Sequence, residues 1–441
     1  MMTKEQTQAL ANKILSFSKF PHCSVSIAES EQAQVRFANN GITTAGFTVE
    51  RTVSIGSTKD RKTGEVDTTE MDDASLRAAV ARSEEMAAIS PVNAEYIEPP
   101  GSLQYPNIES WDEDTATARG PVMIPHVRAV IQYAAKRKLI AAGFFQRRAE
   151  VAVRANKQGL FGYHRFTGAS LSTTVRAADG SSSGWAGQPS PRIREIDGAM
   201  LAETAVEKCL RWKGPRRLEP GKYTVVLEAT AVGDLVARIA LGFNARAAEE
   251  GRSFLSKKGG GTLLGEKLFP ESVTLVSDPF DRRIYGMPWS PGGEPNARIT
   301  WIEKGVVRNL AYDRYWAAKS GRQATPPAAS LILEGSSATR DDLIRSVERG
   351  LLVTRFWYIR PVNQQTLQQT GLTRDGLFLI EDGKISVPVM NFRFNESPVR
   401  LLQNALKFGI PTRVQGGEGT GMVVPPMVAK DFTFTSISDA V

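Results

Sequence analysis

Three histidines (His22, His126, His164) and two cysteines (Cys23, Cys209) are all that 441 residues contain of either type. Two cysteines do not make a disulfide framework, and a reducing cytoplasm is the expected setting. Residues 210–441 contain no histidine or cysteine. The C-terminal half therefore has no imidazole or thiolate with which to hold zinc. No two histidines stand at helical i,i+4 spacing, so each reads as a packed or surface residue. Long apolar runs are missing too. The most apolar window, TVVLEATAVGDLVARIALGF, carries Glu228, Asp234 and Arg238, so no membrane span is expected. The N-terminal MMTKEQTQALANKILSF has no apolar core or cleavage site and reads as an amphipathic helix, not a signal peptide. Charge of one sign is not concentrated. A net +8 is spread over short runs such as Lys136-Arg137-Lys138 and Arg216-Arg217, which argues against nucleic acid as the ligand.

What remains is ordinary globular composition, 41% hydrophobic and 23% charged. Period-two segments flank the Asn39-Asn40-Gly41 turn and predict antiparallel strands. Helices are predicted over 4–18, over 74–89 behind an Asp72 cap, over about 121–138, and behind Asp197. The expected buried faces include Leu76, Ala79, Val80, Met86 and Ala87 in the second, and Leu201, Ala205, Cys209 and Leu210 in the last. The proline-rich stretch 91–106 predicts a surface loop. Gly and Pro between 213 and 221 place a boundary, giving a mixed domain over 1–215 and a second over 216–441. The second shows a strand at Tyr223–Leu227, a helix over 230–244, and then mostly short strands. Lys304-Gly305 and Asp382-Gly383 mark hairpin turns. Short helices are expected near 340–349, stopping at Gly350, and from Pro398 to Gly409, burying Leu401, Leu402 and Leu406. No internal repeat of fixed period is visible. The sum is α+β, with a large antiparallel β-sheet in the C-terminal domain.

Familiar catalytic patterns fail on their residues. GGGTLLGEK at 259–267 puts Glu266 where a phosphate loop needs lysine, and also lacks the third glycine of a dinucleotide fingerprint. The cluster GGEGTG at 416–421 precedes no helix. Both read as turning loops. His22 and Cys23 are neighbours that point apart, and Cys209 lies on an apolar stripe. His164 is expected in a loop between strands, where a general base can be imagined, but no nucleophile is marked out. The acidic pairs Asp72-Asp73, Glu249-Glu250, Asp341-Asp342 and Glu381-Asp382 read as caps, helix ends or turns.

One segment stands out: Val353 to Pro361, with three aromatics and two arginines in an expected strand. Aromatic and arginine side chains are what interface anchors use, and a strand edge can take an extended peptide. The candidate peptide- or subunit-binding residues are Arg355, Trp357, Tyr358, Arg360, Arg374, Asp375, Asn391 and Arg393. The alternative is a sheet whose aromatics are core and whose arginines face water.

The run TRFWYIRPVNQQTLQQTGLTRDGLFLIEDGKISVPVMNFRFNES resembles the C-terminal signature of the TldD/PmbA family. The segments at Glu250–Ser256, Leu264–Lys267, Val273–Pro279, Trp301–Gly305 and Tyr312–Trp316 do so too, and the ending Ser436–Val441 resembles the TldE type. The resemblance implies a two-domain α+β subunit with a role in intracellular peptide cleavage. It also implies that zinc sits in a TldD-like partner, held by a His-Glu-x-x-x-His helix with a cysteine near the C-terminus. In this chain the matching helix, 230–244, reads GDLVARIAL at 233–241, with no histidine. The chain is therefore similar to the TldE/PmbA side: a noncatalytic subunit with no cofactor of its own, expected to pair with a TldD-like chain or with itself around unfolded peptide. Two other readings stay open. One is a stand-alone homodimeric hydrolase using His164 and a C-terminal carboxylate. The other is the regulator implied by the family's older gyrase-modulator label.

Overall fold

The computed structural model describes residues 1–284, 286–416 and 420–439. The N-terminal part is one six-stranded antiparallel sheet with helices on one face. Its elements are α1 (Lys4–Phe17), β1 (His22–Ala38), β2 (Gly41–Lys59), β3 (Lys62–Thr68), α2 (Asp73–Ile89), α3 (Glu113–Thr117), α4 (Gly120–Ala135), β4 (Leu139–Asn156), β5 (Phe161–Ala177), β6 (Ser183–Ser190) and α5 (Gly198–Arg211). The sheet order is β3-β2-β1-β4-β5-β6. Alternation builds it: Val25, Ile27, Val35 and Phe37 of β1 are buried, while Ser24, Ser26, Ala28 and Arg36 face outward.

The order α-β-β-β-α occurs twice, as α1 to α2 and as α4 to α5, joined where β1 pairs with β4. Two glycines mark the equivalence. Gly64 of β3 lies directly under Ser83 and Ala87 of α2, and Gly184 of β6 lies under Ala205 and Cys209 of α5. A methyl group at either would overlap helix backbone. This structural repeat carries no sequence period, which is why none is visible in the chain.

Residues 212–220 lead into the C-terminal part. Its elements are β7 (Gly221–Leu227), α6 (Ala229–Val236), α7 (Ala245–Glu249), β8 (Leu275–Ser277), β9 (Ile299–Glu303), β10 (Val306–Val307), α8 (Arg314–Ser320), β11 (Leu331–Leu333), α9 (Arg340–Arg345), β12 (Arg349–Val353), β13 (Phe356–Asn363), β14 (Gln368–Thr373), β15 (Leu377–Glu381), β16 (Lys384–Pro388), β17 (Phe392–Glu396), α10 (Pro398–Gln403), β18 (Ala405–Phe408), β19 (Thr412–Gly416), β20 (Thr420–Val424) and β21 (Met427–Ile437). Nine strands form the large sheet, in the order β13-β14-β17-β21-β7-β12-β15-β16 with β18 also on β21. A six-stranded sheet, β10-β9-β8-β11-β20-β19, accompanies it. Both are antiparallel except at β7–β12 and β11–β20. The α+β expectation holds, with two C-terminal sheets rather than one.

The caps at Asp72 and Asp197 form, each side chain accepting backbone N–H groups of the first turn. All four residues of the Lys304-Gly305 and Asp382-Gly383 turns have positive φ. Several expectations need correction. The helix expected over 230–244 is α-helical only to Val236 and continues as a 3-10 helix over Ala237–Phe243. The helix near 340 ends at Arg345, and Gly350 lies inside β12. The helix from Pro398 ends at Gln403, so Leu406 falls in β18 and is exposed. Met86 and Leu210 also face solvent. The strand expected from Val353 to Pro361 is two strands, broken at Thr354-Arg355. The glycine cluster at 416–421 and the ending 436–441 lie partly outside the described residues. No helix among the described residues is long and apolar enough to cross a membrane.

Candidate functional site

The bend between β12 and β13 brings Arg355 back against the N-terminal part. Its guanidinium carbon lies 4.4 Å from the centre of the Trp185 ring on β6 and 5.4 Å from that of Trp357. Arg374 lies 5.0 Å from the same Trp357 ring. The result is an alternating stack, Trp185–Arg355–Trp357–Arg374, that begins in one part of the molecule and ends on the open edge of the nine-stranded sheet. Trp357 is 45% exposed at that end.

Asp375 anchors the stack from below. It is buried, and its two oxygens are divided. Ser183 of β6 donates a hydrogen bond of 2.8 Å to Oδ1, and Arg355 Nη1 stands 3.5 Å from Oδ2. Burial pulls the Arg355 guanidinium below its ordinary pKa against the pull of Asp375 and Asp234. Among the described residues its Nε has no hydrogen-bond partner, and neither has the Nε of Arg238.

Asp234, on α6, completes the cluster. Its Oδ2 accepts the Phe356 N–H at 3.1 Å. Burial pushes its carboxyl up to about 6, with the Phe356 N–H, Arg355 and Arg238 opposing. α6 is the helix on which the family resemblance places zinc ligands in a metal-bearing subunit. Here the carboxylates near it are already engaged, Asp234 by a backbone N–H and Asp375 by Ser183 and Arg355. Two guanidiniums add positive charge. These residues do not fit a divalent metal.

The other candidate residues divide. Arg393 shares the cross-strand row Trp357–Leu372–Arg393, which places it on the same face as Trp357 two strands away. Tyr358 is 58% exposed at a bulge, with φ 53°, and its ring stacks under Arg360 at 4.3 Å. Asn391 is different. It is buried, and its Oδ1 accepts the Thr373 hydroxyl at 2.9 Å, so it is a brace inside the sheet rather than a surface contact. Sequence reasoning missed Trp185, Ser183 and Asp234 as members. Trp185 lies 170 residues before Arg355 and Ser183 lies 192 before Asp375, and nothing local to them points there.

His164 also needs correction. It is buried in β5, not in a loop, and its Nε2 is 3.0 Å from the Ser110 hydroxyl. That hydroxyl donates 2.8 Å to the Arg165 carbonyl. Trp289 and Phe166 supply the ring contacts of His164, and burial lowers its pKa to about 4. A base held neutral beside a committed hydroxyl is a packing arrangement. His22 lies at the start of β1, and His126 on α4 accepts the Gly198 N–H. Cys23 and Cys209 are free, buried thiols, both raised in pKa by burial. Among the described residues, no three His, Cys, Asp or Glu side chains converge to hold an ion.

Residues 220–436 match the family described as the PmbA/TldA metallopeptidase C-terminal domain. TldE from Thermococcus kodakarensis superposes with a TM-score of 0.86 at 17% identity, covering 97% of this chain and 99% of that one. A putative modulator of DNA gyrase from Bacteroides thetaiotaomicron gives 0.86 at 20%, covering 99% and 100%. Another from Thermotoga maritima gives 0.85 at 16%, covering 97% and 100%. At these identities the likeness is one of fold. An uncharacterized protein of Methanocaldococcus jannaschii is 28% identical over 110 residues, which is 24% of this chain and a quarter of that protein's length.

Proposed function

The chain belongs to the TldD/PmbA family, which is metallopeptidase-related, and from that premise we propose that it is the noncatalytic, TldE-like subunit of a paired peptidase. Its partner, a TldD-like chain, supplies the zinc and the water that attacks the peptide bond. This chain supplies a wall of the shared chamber and a sheet edge for extended peptide. The pair works in a reducing cytoplasm, where Cys23 and Cys209 stay thiols.

One observation carries the reading. On α6, where a metal-bearing subunit is expected to present imidazoles, this chain presents Asp234 hydrogen-bonded to its own backbone and flanked by Arg238 and Arg355. The open edge beside that helix is β13, which offers Trp357, Tyr358, Arg360 and backbone groups to a partner.

Reconstitution tests the proposal. Peptide cleavage is expected only when this chain is mixed with a His-Glu-x-x-x-His chain, with zinc recovered in the latter. Replacing Trp357 with Ala in the mixed pair is expected to raise KM for peptide several-fold. Stoichiometric zinc in this chain alone, with cleavage to match, would overturn the assignment.

A further inference from the structure

The strands β13, β14 and β17 have two unlike faces. One is core, where Phe356, Phe392 and Phe394 meet Phe432 and Phe434. The other carries Trp357 and Arg360 of β13, Thr370 and Leu372 of β14, and Arg393 of β17.

Charge on that second face is one-sided. From Val353 to Ile380 the single acidic residue is Asp375, buried and held by Ser183 and Arg355. β17 adds Glu396, which is 2% exposed and accepts the Ser397 and Thr433 N–H groups at 2.9 and 3.2 Å. Arg360 and Arg393 are exposed, and among the described residues neither forms an ion pair. Arg360 uses one donor on its own Ile359 carbonyl, at 3.0 Å. In register, Arg360 faces Thr370 and Thr370 faces Asn395, while Trp357, Leu372 and Arg393 form the next row. The two arginines thus stand two strands and two residues apart, roughly 12 Å between Cα atoms. An extended peptide covers that span in about four residues, an even number that returns its side chains to the same side.

We propose that this face takes an acidic peptide, with two of its carboxylates received by Arg360 and Arg393, so that acidic unfolded peptides are the preferred substrates of the paired peptidase, on which reading this rests. The planar guanidinium fork matches a carboxylate in shape as well as charge. Nucleic acid suits the face less well. It needs a series of cations along its backbone, and here two stand apart. It also needs free ring faces for its bases. Trp357 already lies between Arg355 and Arg374, and Tyr358 lies under Arg360.

Fluorescence anisotropy of this chain alone with short labelled Ala-Gly-Ser peptides tests the face. One peptide carries two aspartates at the spacing above, and its companions carry asparagine or lysine in their place. The aspartate peptide is expected to bind about tenfold tighter than the asparagine one at low salt, an advantage that shrinks as salt is added. The Arg360→Glu, Arg393→Glu double variant alters only exposed side chains, so its circular dichroism is expected to match the parent. It should bind the lysine peptide tighter than the aspartate one. Equal binding of the aspartate and asparagine peptides by the parent would overturn the proposal. So would an oligothymidylate that binds tighter than the aspartate peptide and is lost in the double variant, since nucleic acid would then be the ligand. In the reconstituted pair, KM is expected to be lower for the aspartate peptide. Equal KM values for the two overturn the substrate class and leave the peptidase reading intact. Cleavage of neither overturns the peptidase reading, while the binding order still decides what the face takes.

Discussion

Asp234 is a carboxyl whose folded environment works against its charge. It holds its proton to about pH 6, against 3.8 for the unfolded side chain. Between those values the folded state binds more protons than the unfolded one, so its contribution to stability falls as pH rises through that window. Asp234→Asn removes the charge and keeps an acceptor for the Phe356 N–H. Urea unfolding is expected to show the variant more stable than the parent at pH 7.5, by up to about 3 kcal/mol, and little changed at pH 4. Arg355 is the opposite case. Arg355→Met leaves Asp375 buried with only Ser183, and a loss of about 3 kcal/mol is expected. Adding Asp375→Asn should return part of it, since the uncompensated charge is gone. A double-mutant cycle with no coupling would show that the 3.5 Å pair is not what the stack rests on. The sequence singled out Arg355, Trp357, Arg374 and Asp375 because three aromatics and two arginines crowd into Val353–Pro361 and Arg374-Asp375 follow close behind. It marked neither Trp185 nor Ser183, because an aromatic and a serine in a separate strand look like any others until the two parts meet.

At the scale of elements, the signals that proved readable are those with a local cause. Capping carboxylates, turn residues and long amphipathic helices satisfy nearby backbone groups, and α2 and α5 begin behind the predicted Asp72 and Asp197. The short helices were misjudged because their apolar residues continue past the helix into a strand. Leu401 and Leu402 are helical and buried, whereas Leu406 belongs to β18. The repeat was hidden for a related reason. What the halves share is backbone geometry and a glycine where helix crosses strand, not a pattern of side-chain types. Gly64→Ala and Gly184→Ala should therefore each cost roughly 2–3 kcal/mol, since the methyl must push α2 or α5 off the sheet. Gly168→Ala, at a strand position with open space around it, should stay within about 0.5 kcal/mol of the parent. Thermal melts of the three variants decide the point. Equal losses at all three would mean that strand propensity, not helix contact, explains the glycines.

Across the whole molecule, the two parts are tied at separated points. Arg413 on β19 donates 2.8 Å to the Ser190 hydroxyl and 2.7 Å to Glu195. Burial works against the Glu195 carboxylate, yet Ser190 and Arg413 hold it below its ordinary pKa. Trp212 donates its indole N–H to Val389 O at 2.9 Å, and Lys208 joins Glu228 at 2.7 Å, with Arg340 on the other oxygen of that carboxylate at 3.3 Å. Ser183–Asp375, at 2.8 Å, is a further tie. The indole, the aspartate and their partners are buried, so separating the parts strands polar groups that water does not reach while either part stays folded. Neither part then has a stable open state of its own, and one heat-absorption peak is expected rather than two. The Glu195 tie exists only while its carboxylate is charged, so its share of the coupling is present above the unfolded carboxyl range and is lost as pH falls through the lower value it has in the folded chain. The Ser183→Ala, Arg413→Ala double variant cuts two of these ties without touching either core. Its calorimetric trace should resolve into two transitions, with the lower one shifted down by several degrees. A single peak of undiminished enthalpy in that variant would mean that apolar contact alone couples the parts and that the polar ties are incidental.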